Sequence, residues 1–263
     1  MTQLEGKIVL ITGASSGIGE AMAYEAAAKN ATVLLCARRE DKLKEVKDKC
    51  ESISNKPAYV YTLDVSDPDD IDNVMDRIKA EVGAIDVLIN NAGFGHSETF
   101  LSYDLKKAES MFRVNVLGLM YLSQIAAIQM ADRRSGHIIN VGSIAGKVAT
   151  PKSSVYSASK FAVIGFSNAL RLELKPLNIK VTTINPGPVD TAFFDEFDPS
   201  GDYLNRIRSF VLTSQEVAEK TIKVIGTNKR EVNLPFSLGV ASKFYSLFPA
   251  LGDYLILTSF DKK

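Results

Sequence analysis

Two side chains that can do chemistry together stand four residues apart in the stretch "VYSASK", residues 155–160. They are the phenol of Tyr156 and the ammonium of Lys160, and only small residues lie between them. Residues four apart share one face of a helix, and small neighbours leave that face open to another molecule. A phenol has a pKa of about 10, and a nearby ammonium favours its phenolate form. A helical segment here would therefore hold a proton donor and acceptor beside a fixed positive charge.

Short apolar runs rich in Val, Ile and Leu recur along the chain and predict the elements that position this pair. They are "KIVLITG", "TVLLCAR", "AYVYTLD", "IDVLINN", "GHIINVGS", "IKVTTINPG" and, more weakly, "REVNLP". Near-continuous apolar character is typical of strands buried on both faces of a parallel sheet. Segments with helical periodicity, such as 17–29 and 68–82, lie between the runs. The pattern predicts one α/β domain over residues 1–263, with a doubly wound parallel sheet of about seven strands and helices on both faces.

The first predicted strand ends in "TGASSGIG", which carries Gly13, Gly17 and Gly19. Glycines at a strand-to-helix turn permit close backbone approach, and the helix N-terminus presents N–H groups to a pyrophosphate. The spacing differs from the usual G-x-G-x-x-G, and glycine can also serve the turn geometry alone. Because the turn follows the first strand of a β/α series, we interpret it as a dinucleotide site.

The second predicted strand ends in "LLCARRE", where a bound dinucleotide would present its ribose. A carboxylate there would hold a free 2'-hydroxyl, whereas arginine accommodates a 2'-phosphate. Arg38 and Arg39 therefore predict NADP(H), with Arg38 as the first candidate. The alternatives are that both arginines are solvated, with Glu40 and Asp41 offsetting their charge, and that NAD(H) is preferred.

Together with "NNAG" at 90–93, Asn115, Ser143 and "NPGPVDT" at 185–191, these motifs resemble the classical short-chain dehydrogenase/reductase family over nearly the whole chain. The resemblance implies a Rossmann-type fold and hydride transfer between NAD(P)H and a carbonyl or alcohol, the EC 1.1.1.- class. It implies that Tyr156 is the acid, that Lys160 also holds the nicotinamide ribose, and that Ser143 binds the substrate oxygen. Asn115 would stand behind the lysine and organise a water-mediated proton path.

The resemblance also assigns a cofactor-binding role to a longer set of residues. That set is Gly13, Ser15, Ser16, Gly17, Ile18, Gly19, Arg38, Arg39, Asp64, Val65, Asn91, Ala92, Gly93, Tyr156, Lys160, Pro186, Gly187, Val189 and Thr191. Taken alone, several have ordinary explanations: Tyr156 as a packing residue, Asn115 as a local cap, and Asp64 as the cap of the following helix. Their joint occurrence favours the functional interpretation.

Composition limits the other classes of function. Lys+Arg and Asp+Glu are equal at 31 each, so no global field attracts nucleic acid or an anionic membrane. Cys36 and Cys50 show no disulfide or zinc spacing, and we expect no metal site and a cytoplasmic location. The start "MTQLEGKIVLITG" lacks signal-peptide character, and we expect no membrane-spanning segment.

Four rival functions are less consistent with the motifs. A serine hydrolase would need a G-x-S-x-G elbow, which "NVGSIAG" lacks. Its base could only be His96, expected near the substrate mouth, or His137, expected to be a packing residue. A metal site lacks ligand spacing, and a methyltransferase would not explain Tyr156, Lys160 and Ser143 together. A non-catalytic NADP(H)-binding sensor or scaffold on the same fold is the main alternative.

Two segments bear on the substrate and on partners. Residues 192–212 carry Phe193, Phe194, Phe197, Tyr203 and Phe210 and predict either a lid over a mainly apolar small-molecule carbonyl or alcohol, or a surface helix pair. Residues 232–263 form an apolar C-terminal extension. Its first interpretation is a subunit contact in a homodimer or homotetramer, its second is folding over the substrate mouth, and its third is peripheral membrane attachment.

Overall fold

The computed structural model describes residues 4–198 and 211–260. Its strands, β1 to β7 in chain order, are Ile8–Thr12, Thr32–Ala37, Ala58–Thr62, Val87–Asn90, Gly136–Val141, Ile179–Pro186 and Glu231–Leu234. All pairings are parallel, and the sheet order is β3-β2-β1-β4-β5-β6-β7. The predicted seven-stranded, doubly wound sheet is confirmed.

Helices cover both faces of this sheet. In chain order, α1 to α10 are Gly17–Ala28, Glu40–Ile53, Pro68–Glu81, Leu105–Phe112, Leu119–Arg133, Ser154–Leu174, Phe193–Phe197, Ser214–Val224, Phe236–Leu247 and Pro249–Phe260. A π-helical segment, Arg113–Gly118, joins α4 to α5, and 3-10 turns occupy Phe100–Ser102, Ile144–Gly146 and Lys175–Leu177.

The start of α3 corrects one alternative from the sequence. Asp67 is the N-cap, and its carboxylate accepts hydrogen bonds from the backbone N–H groups of Asp69 and Asp70. Pro68 occupies the first helical position, where its missing N–H costs nothing. Asp64 therefore does not cap this helix.

Alternate residues of each central strand enter two different cores. Val9 and Ile11 of β1 pack in a cluster with α1, α2 and α8, whereas Leu10 packs with α3 and α5 on the opposite face. Leu35 and Leu34 of β2 divide in the same way. Burial on both faces explains why these strands read as continuous apolar runs.

A buried chain of polar side chains fixes α5 and α6 to the sheet. Asn90 Nδ2 donates to Ser123 Oγ at 3.0 Å and to Asn140 Oδ1 at 2.9 Å. Asn140 Nδ2 donates to Ser167 Oγ at 2.9 Å. Hydrogen bonds between fully buried groups are directional and hard to replace. The chain thus sets the position of α6, which carries Tyr156 and Lys160.

The helical stretch Leu105–Arg133 contains the π segment. Judged by length and composition alone, this stretch could cross a membrane, and it is the one helix among the described residues for which this holds. Its residues Leu122, Ala126 and Met130 are buried against the sheet, as in the core helix of a globular fold. Gly118 at the end of the π segment packs directly against the backbone carbonyl of Val65.

His137 lies on β5 in a buried network, as a packing residue would. Its Nδ1 accepts a hydrogen bond from Gly226 N–H at 3.0 Å, so the ring proton is on Nε2, 2.9 Å from Thr182 Oγ1. Burial lowers the pKa of His137 to about 4, and the nearby charge of Lys180 adds to this effect.

Gly118→Ala should lower the free energy of unfolding by about 1–3 kcal/mol, because the added Cβ would collide with the Val65 carbonyl. Gly165→Ala on α6 is the matched control, since a Cβ there meets nothing within 4 Å. The control should gain about 0.5–1 kcal/mol from helix propensity. Urea denaturation of both variants measures the difference, and a gain in both would contradict the tight contact at Gly118.

Candidate active site

A cleft of about 1200 Å³ opens at the carboxyl ends of the parallel strands. Its walls come from the turn after β1, the segments that follow β2 to β6, the first turns of α6, and helices α9 and α10. Sites for single drug-sized molecules usually measure about 300–1,000 Å³. The cleft therefore has room for a dinucleotide together with a second small molecule.

The turn between β1 and α1 has a backbone that glycine adopts most readily. Gly13 and Gly17 have φ angles of +65° and +60°. A Cβ on Gly19 would collide with the carbonyl oxygen of Gly13. Ser16 is the N-cap of α1, but its hydroxyl does not cap the helix amides. The first-turn N–H groups and the positive end of the helix dipole thus suit an anionic group.

Thr12 ties the glycine turn to the NNAG turn after β4. Its hydroxyl accepts hydrogen bonds from the backbone N–H groups of Asn91 and Ala92, both at 3.0 Å. The Asn91 side chain donates to the Thr12 carbonyl at 3.0 Å. A Cβ on Gly13 would lie 2.9 Å from Ala92 Cα. The two turns are in direct contact and form one continuous surface of the cleft.

Arg39, rather than Arg38, reaches the glycine turn. Its Nη2 donates to Ser15 Oγ at 3.0 Å and to Ser16 Oγ at 2.8 Å. Arg38 also lines the cleft, but its charge acts on the Asp64 carboxylate after β3. The adjacent arginines therefore have different neighbours, which their sequence positions alone do not distinguish.

Asp64 is held by its own loop. Its Oδ1 accepts hydrogen bonds from Ser66 N–H at 2.9 Å and Ser66 Oγ at 2.7 Å. Burial raises the pKa of the Asp64 carboxyl, but these hydrogen bonds and the charge of Arg38 outweigh burial and hold the pKa below its usual range. The loop keeps Val65 at the cleft wall.

Asn115 lies in the π segment and connects three parts of the site. Its Oδ1 accepts from Phe94 N–H at 3.0 Å, and its Nδ2 donates to Phe94 O at 2.9 Å and to Ser159 Oγ at 3.2 Å. A Cβ on Gly93 would lie 2.9 Å from Asn115 Oδ1 and 3.7 Å from Lys160 Nζ. Asn115 therefore stands beside the lysine and holds distant segments together, so it is more than a local cap.

Tyr156 and Lys160 lie one turn apart on α6, and both are buried at the cleft wall. Lys160 Nζ is 5.9 Å from the centroid of the phenol ring and donates to Val141 O at 3.0 Å. Burial lowers the pKa of Lys160 to about 8. The ammonium form thus predominates at neutral pH and is lost as the pH rises past this value.

Ser143 follows β5 and also lines the cleft. Its Oγ accepts a hydrogen bond from Ala145 N–H at 3.0 Å, which starts the 3-10 turn Ile144–Gly146. The hydroxyl donates to Pro186 O over 3.4 Å, a long contact that is easily exchanged for a better acceptor. Gly142 before it packs against the buried Asn185 side chain, so no larger residue fits there.

The chain after β6 returns toward the glycine turn. Gly187 N–H donates to Leu234 O at 2.6 Å, which ties this segment to β7. Thr191 lies against the glycine turn, because a Cβ on Gly17 would approach its Cγ2 to 3.2 Å. Val189 is buried next to this contact and lines the cleft.

Aromatic rings cover the side of Tyr156 that faces α7. The ring centroid of Tyr156 is 5.7 Å from that of Phe193 and 5.5 Å from that of Phe197. A Cβ on Gly95 would lie 2.7 Å from Phe193 and 3.0 Å from Tyr156, so only glycine fits below the cluster. The rings make this side of the cleft apolar.

The predicted lid, residues 192–212, is described in part. Phe193, Phe194 and Phe197 form a mutually packed cluster at the cleft. Tyr203 and Phe210 lie within 199–210, outside the described residues. The lid stays a prediction.

Helices α9 and α10 of the apolar C-terminal extension lie beside the cleft. Leu238 and Phe244 of α9 and Ile256 of α10 contribute to its wall. This arrangement favours the interpretation in which the extension folds over the substrate mouth, and the subunit contact stays a prediction.

Neither of the two histidines lines the cleft. His96 packs edge-on against Tyr103, with ring centroids 5.7 Å apart, and is not among the described residues that line the cleft. Within 4–198 and 211–260, no group of three or more His, Cys, Asp or Glu side chains is positioned to hold a metal ion.

Several residues of the site carried no recognisable signal in the sequence. Thr12 bonds to Asn91 and Ala92, which are distant along the chain, and Ser159 bonds to the distant Asn115 as well as to its neighbour Tyr156. Phe94 contributes through its backbone, and Leu238 and Phe244 come from a segment that follows the recognisable motifs. In the sequence, Ser159 is only one of the small residues that leave the helix face open.

Comparison with known proteins decides the family. The sequence profile described as short chain dehydrogenase matches residues 7–200. The chain belongs to the short-chain dehydrogenase family. This confirms the resemblance of its motifs.

Among relatives of this short-chain dehydrogenase, an uncharacterized oxidoreductase of Staphylococcus aureus (strain N315) is 37% identical over 234 residues, covering 89% of this chain and 96% of the relative. The closed form of serine dehydrogenase complexed with NADP+ is similar at 31% identity, with a TM-score of 0.78 over 86% of this chain and 94% of that one. A short-chain dehydrogenase from Sphingobium yanoikuyae in complex with NADPH is similar at 27% identity, with a TM-score of 0.80 over 95% of each chain.

Replacing Lys160 with methionine should stabilise the protein at pH 7 by about 1–3 kcal/mol, because the substitution removes a buried charge. The folded-state pKa of about 8 lies below the ordinary 10.5, so the cost of the ammonium is present below pH 8 and disappears as pH rises to 10.5. Urea denaturation across pH 7 to 10.5 should thus show an advantage of Lys160→Met that shrinks with pH. The exposed Lys220→Met is the control and should show no such trend. A variant less stable than wild type at pH 7 would contradict this account of the buried ammonium.

Proposed function

We propose that this short-chain dehydrogenase is an NADP(H)-dependent enzyme that reduces the carbonyl of a mainly apolar small molecule or oxidises the corresponding alcohol. The observation that carries the proposal is the convergence of Tyr156, Lys160 and Ser143 on the cleft that begins at the glycine turn. A phenol, a buried ammonium and a strand-end hydroxyl are the groups that carbonyl reduction needs near the reacting oxygen.

The residues present fit a nicotinamide dinucleotide. The amides at the start of α1 suit its pyrophosphate, and Gly13, Gly17 and Gly19 keep that turn free of side chains. Lys160 would hold the nicotinamide ribose, with Val189 and Thr191 beside the carboxamide. When bound, NADP(H) supplies or accepts the hydride.

The remaining cofactor contacts would lie along the rest of the groove. Asp64 and Val65 would line the adenine side, and Asn91, Ala92 and Gly93 would line the central part of the groove. Pro186 and Gly187, after β6, would lie beside the nicotinamide with Val189 and Thr191, and Ile18 would line the groove at the start of α1. Of the cofactor contacts named in this paragraph and the one before it, all except Gly19 line the cleft.

Tyr156 transfers the proton. In reduction its hydroxyl donates to the carbonyl oxygen as charge develops there, and in oxidation its phenolate accepts the proton of the alcohol. The ammonium of Lys160 stabilises the phenolate electrostatically, and burial strengthens this effect because water screens it less. Ser143 Oγ exchanges its long contact with Pro186 O for a hydrogen bond to the substrate oxygen.

Asn115 positions the lysine side of the site. Its bonds to Phe94 and Ser159 hold the NNAG segment against α6. By this arrangement it would also organise the water that carries the proton away.

The preference for NADP(H) is supported by Arg39. Its guanidinium and the hydroxyls of Ser15 and Ser16 form a cluster of donors beside the glycine turn, which suits a 2'-phosphate. Arg38 adds a second positive charge near Asp64. Arg39 is therefore proposed as the principal contact and Arg38 as the second.

Exposed apolar residues and the two thiols bear on partners and location. Exposed apolar residues on α5 and α6, among them Tyr121, Ile128, Phe161 and Leu172, suit a homodimer or homotetramer. The wall residues Phe94, Val148 and Phe193 support an apolar substrate. Cys36 and Cys50 are free thiols, and a cytoplasmic location stays a prediction.

Tyr156→Phe should reduce kcat for NADPH oxidation with a carbonyl substrate by at least about 10²-fold, because it removes the proton donor. The dissociation constant for NADPH should stay within about threefold of wild type, since the ring and its packing are kept. The matched control is Tyr103→Phe, whose hydroxyl is buried, has no hydrogen-bond partner among the described residues and does not line the cleft.

The control should retain activity. Turnover that survives in Tyr156→Phe would remove the tyrosine as the acid. Tight NADPH binding without turnover across ketones, aldehydes, quinones and steroids would support the non-catalytic sensor instead.

Arg39→Ala should raise KM for NADPH by about 10- to 100-fold and change KM for NADH much less, because charge-assisted hydrogen bonds to phosphate contribute about 1.5–3 kcal/mol. Arg38→Ala should show the same selectivity with a smaller effect. Steady-state kinetics with both cofactors measure the ratio. Equal weakening of both cofactors in Arg39→Ala would refute the 2'-phosphate contact.

A further inference from the structure

Helices α9 and α10 leave a surface of large apolar side chains uncovered. We define the C-terminal apolar surface as six exposed residues that do not line the cleft: Phe236, Val240, Leu247, Phe248, Tyr254 and Leu257. Phe236 and Leu247 are 81% and 73% exposed. Exposed apolar residues concentrated on one structural unit are typical of an interaction site.

The charge of this unit suits a lipid surface. Between residues 232 and 260 the charged side chains are Lys243 and Asp253. We call α9 and α10 together the hairpin; within it, Asp253 accepts a hydrogen bond from Tyr245 OH at 2.8 Å, so its carboxylate is already engaged. Lys243 is exposed and leaves the hairpin with a cation that complements anionic headgroups.

The distribution of side chains favours lipid over a second copy of the chain. Leu251, Tyr254, Leu255 and Leu257 are all exposed on α10. At 3.6 residues per turn they span about 160° of the helix circumference. One partner helix covers a narrower stripe, whereas a bilayer interface surrounds the whole apolar side of a helix.

The length of the helices determines the mode of contact. Each has 12 residues, which gives about 18 Å. The hydrocarbon core of a bilayer is about 30 Å thick. These helices therefore suit the interfacial plane.

The cleft is continuous with this surface. Phe244 and Leu255 line the cleft and are also 40% and 49% exposed. Apolar wall thus runs from the interior of the cleft to the outside of the hairpin. An apolar molecule dissolved in lipid would reach the cleft without crossing water.

We propose that the C-terminal apolar surface docks on a bilayer, with α9 and α10 lying in its interface and the cleft mouth beside the lipid. The docking is independent of the proposed function. Only the supply of an apolar substrate from the bilayer would rest on it.

The test uses the absence of tryptophan from the chain. Leu247→Trp is the reporter, and Leu101→Trp, at a fully exposed position in the turn Phe100–Ser102, is its control. With vesicles of phosphatidylcholine and phosphatidylglycerol, emission of Leu247→Trp should move to shorter wavelength and that of Leu101→Trp should not. A shift in both, or in neither, would overturn the proposal.

Vesicle flotation of protein without the tryptophan substitutions measures binding a second way. The triple variant Phe236→Ser, Leu247→Ser, Leu257→Ser should bind vesicles at least about tenfold less than wild type. The triple control Phe100→Ser, Leu101→Ser, Leu105→Ser changes exposed apolar residues away from this surface and from α5 and α6, and it should float like wild type.

Two further outcomes would overturn the proposal. The first is wild-type protein that stays unbound. The second is a blue shift of Leu247→Trp that depends on protein concentration and needs no vesicles, together with a solution mass that the Phe236, Leu247, Leu257 triple variant lowers. These two results would assign the surface to a second copy of the chain. NADPH binding and turnover, measured without vesicles, separate the proposed function from the docking.

Discussion

The site depends on one buried ammonium. Lys160 is enclosed at the end of the sheet, where a charge is unfavourable, and it is held by the Val141 carbonyl on one side and faces the Tyr156 ring on the other. Burial lowers its pKa to about 8, so the group is charged at neutral pH but close to losing its proton. The same enclosure that destabilises the ammonium makes its field strong at the phenol, which is the effect that the proposed proton transfer at Tyr156 requires.

The rest of the fold holds this charge in place. Strands buried on both faces give a rigid sheet, and the chain from Asn90 through Asn140 to Ser167 fixes α6 against it. The π segment turns Asn115 toward Phe94 and Ser159, and π-helical irregularities often occur at functional sites. The glycine turns bring three loops into contact at the cleft. The contacts that hold the fold together and the side chains of the candidate site therefore lie at the same carboxyl ends of the strands.

The fold was largely predictable from the sequence, because its strands are apolar runs and its helices are periodic. Short motifs predicted that Tyr156 and Lys160 share one helix face, and the structure places both at the cleft wall. The different neighbours of Arg38 and Arg39 were not predictable, because they depend on which guanidinium the loop turns toward Ser15. Nor was the role of Thr12, because its partners lie some eighty residues away. The helices after β7 carried only an apolar composition, which fits several arrangements equally well.

Transfer of deuterium tests the central claim most directly. NADPH deuterated at C4 of the nicotinamide, on either face in turn, is incubated with the protein and a set of apolar ketones, and the products are examined by mass spectrometry. The account predicts deuterium on the carbinol carbon from one of the two labelled forms. Bound NADPH that transfers no deuterium to any carbonyl would contradict it.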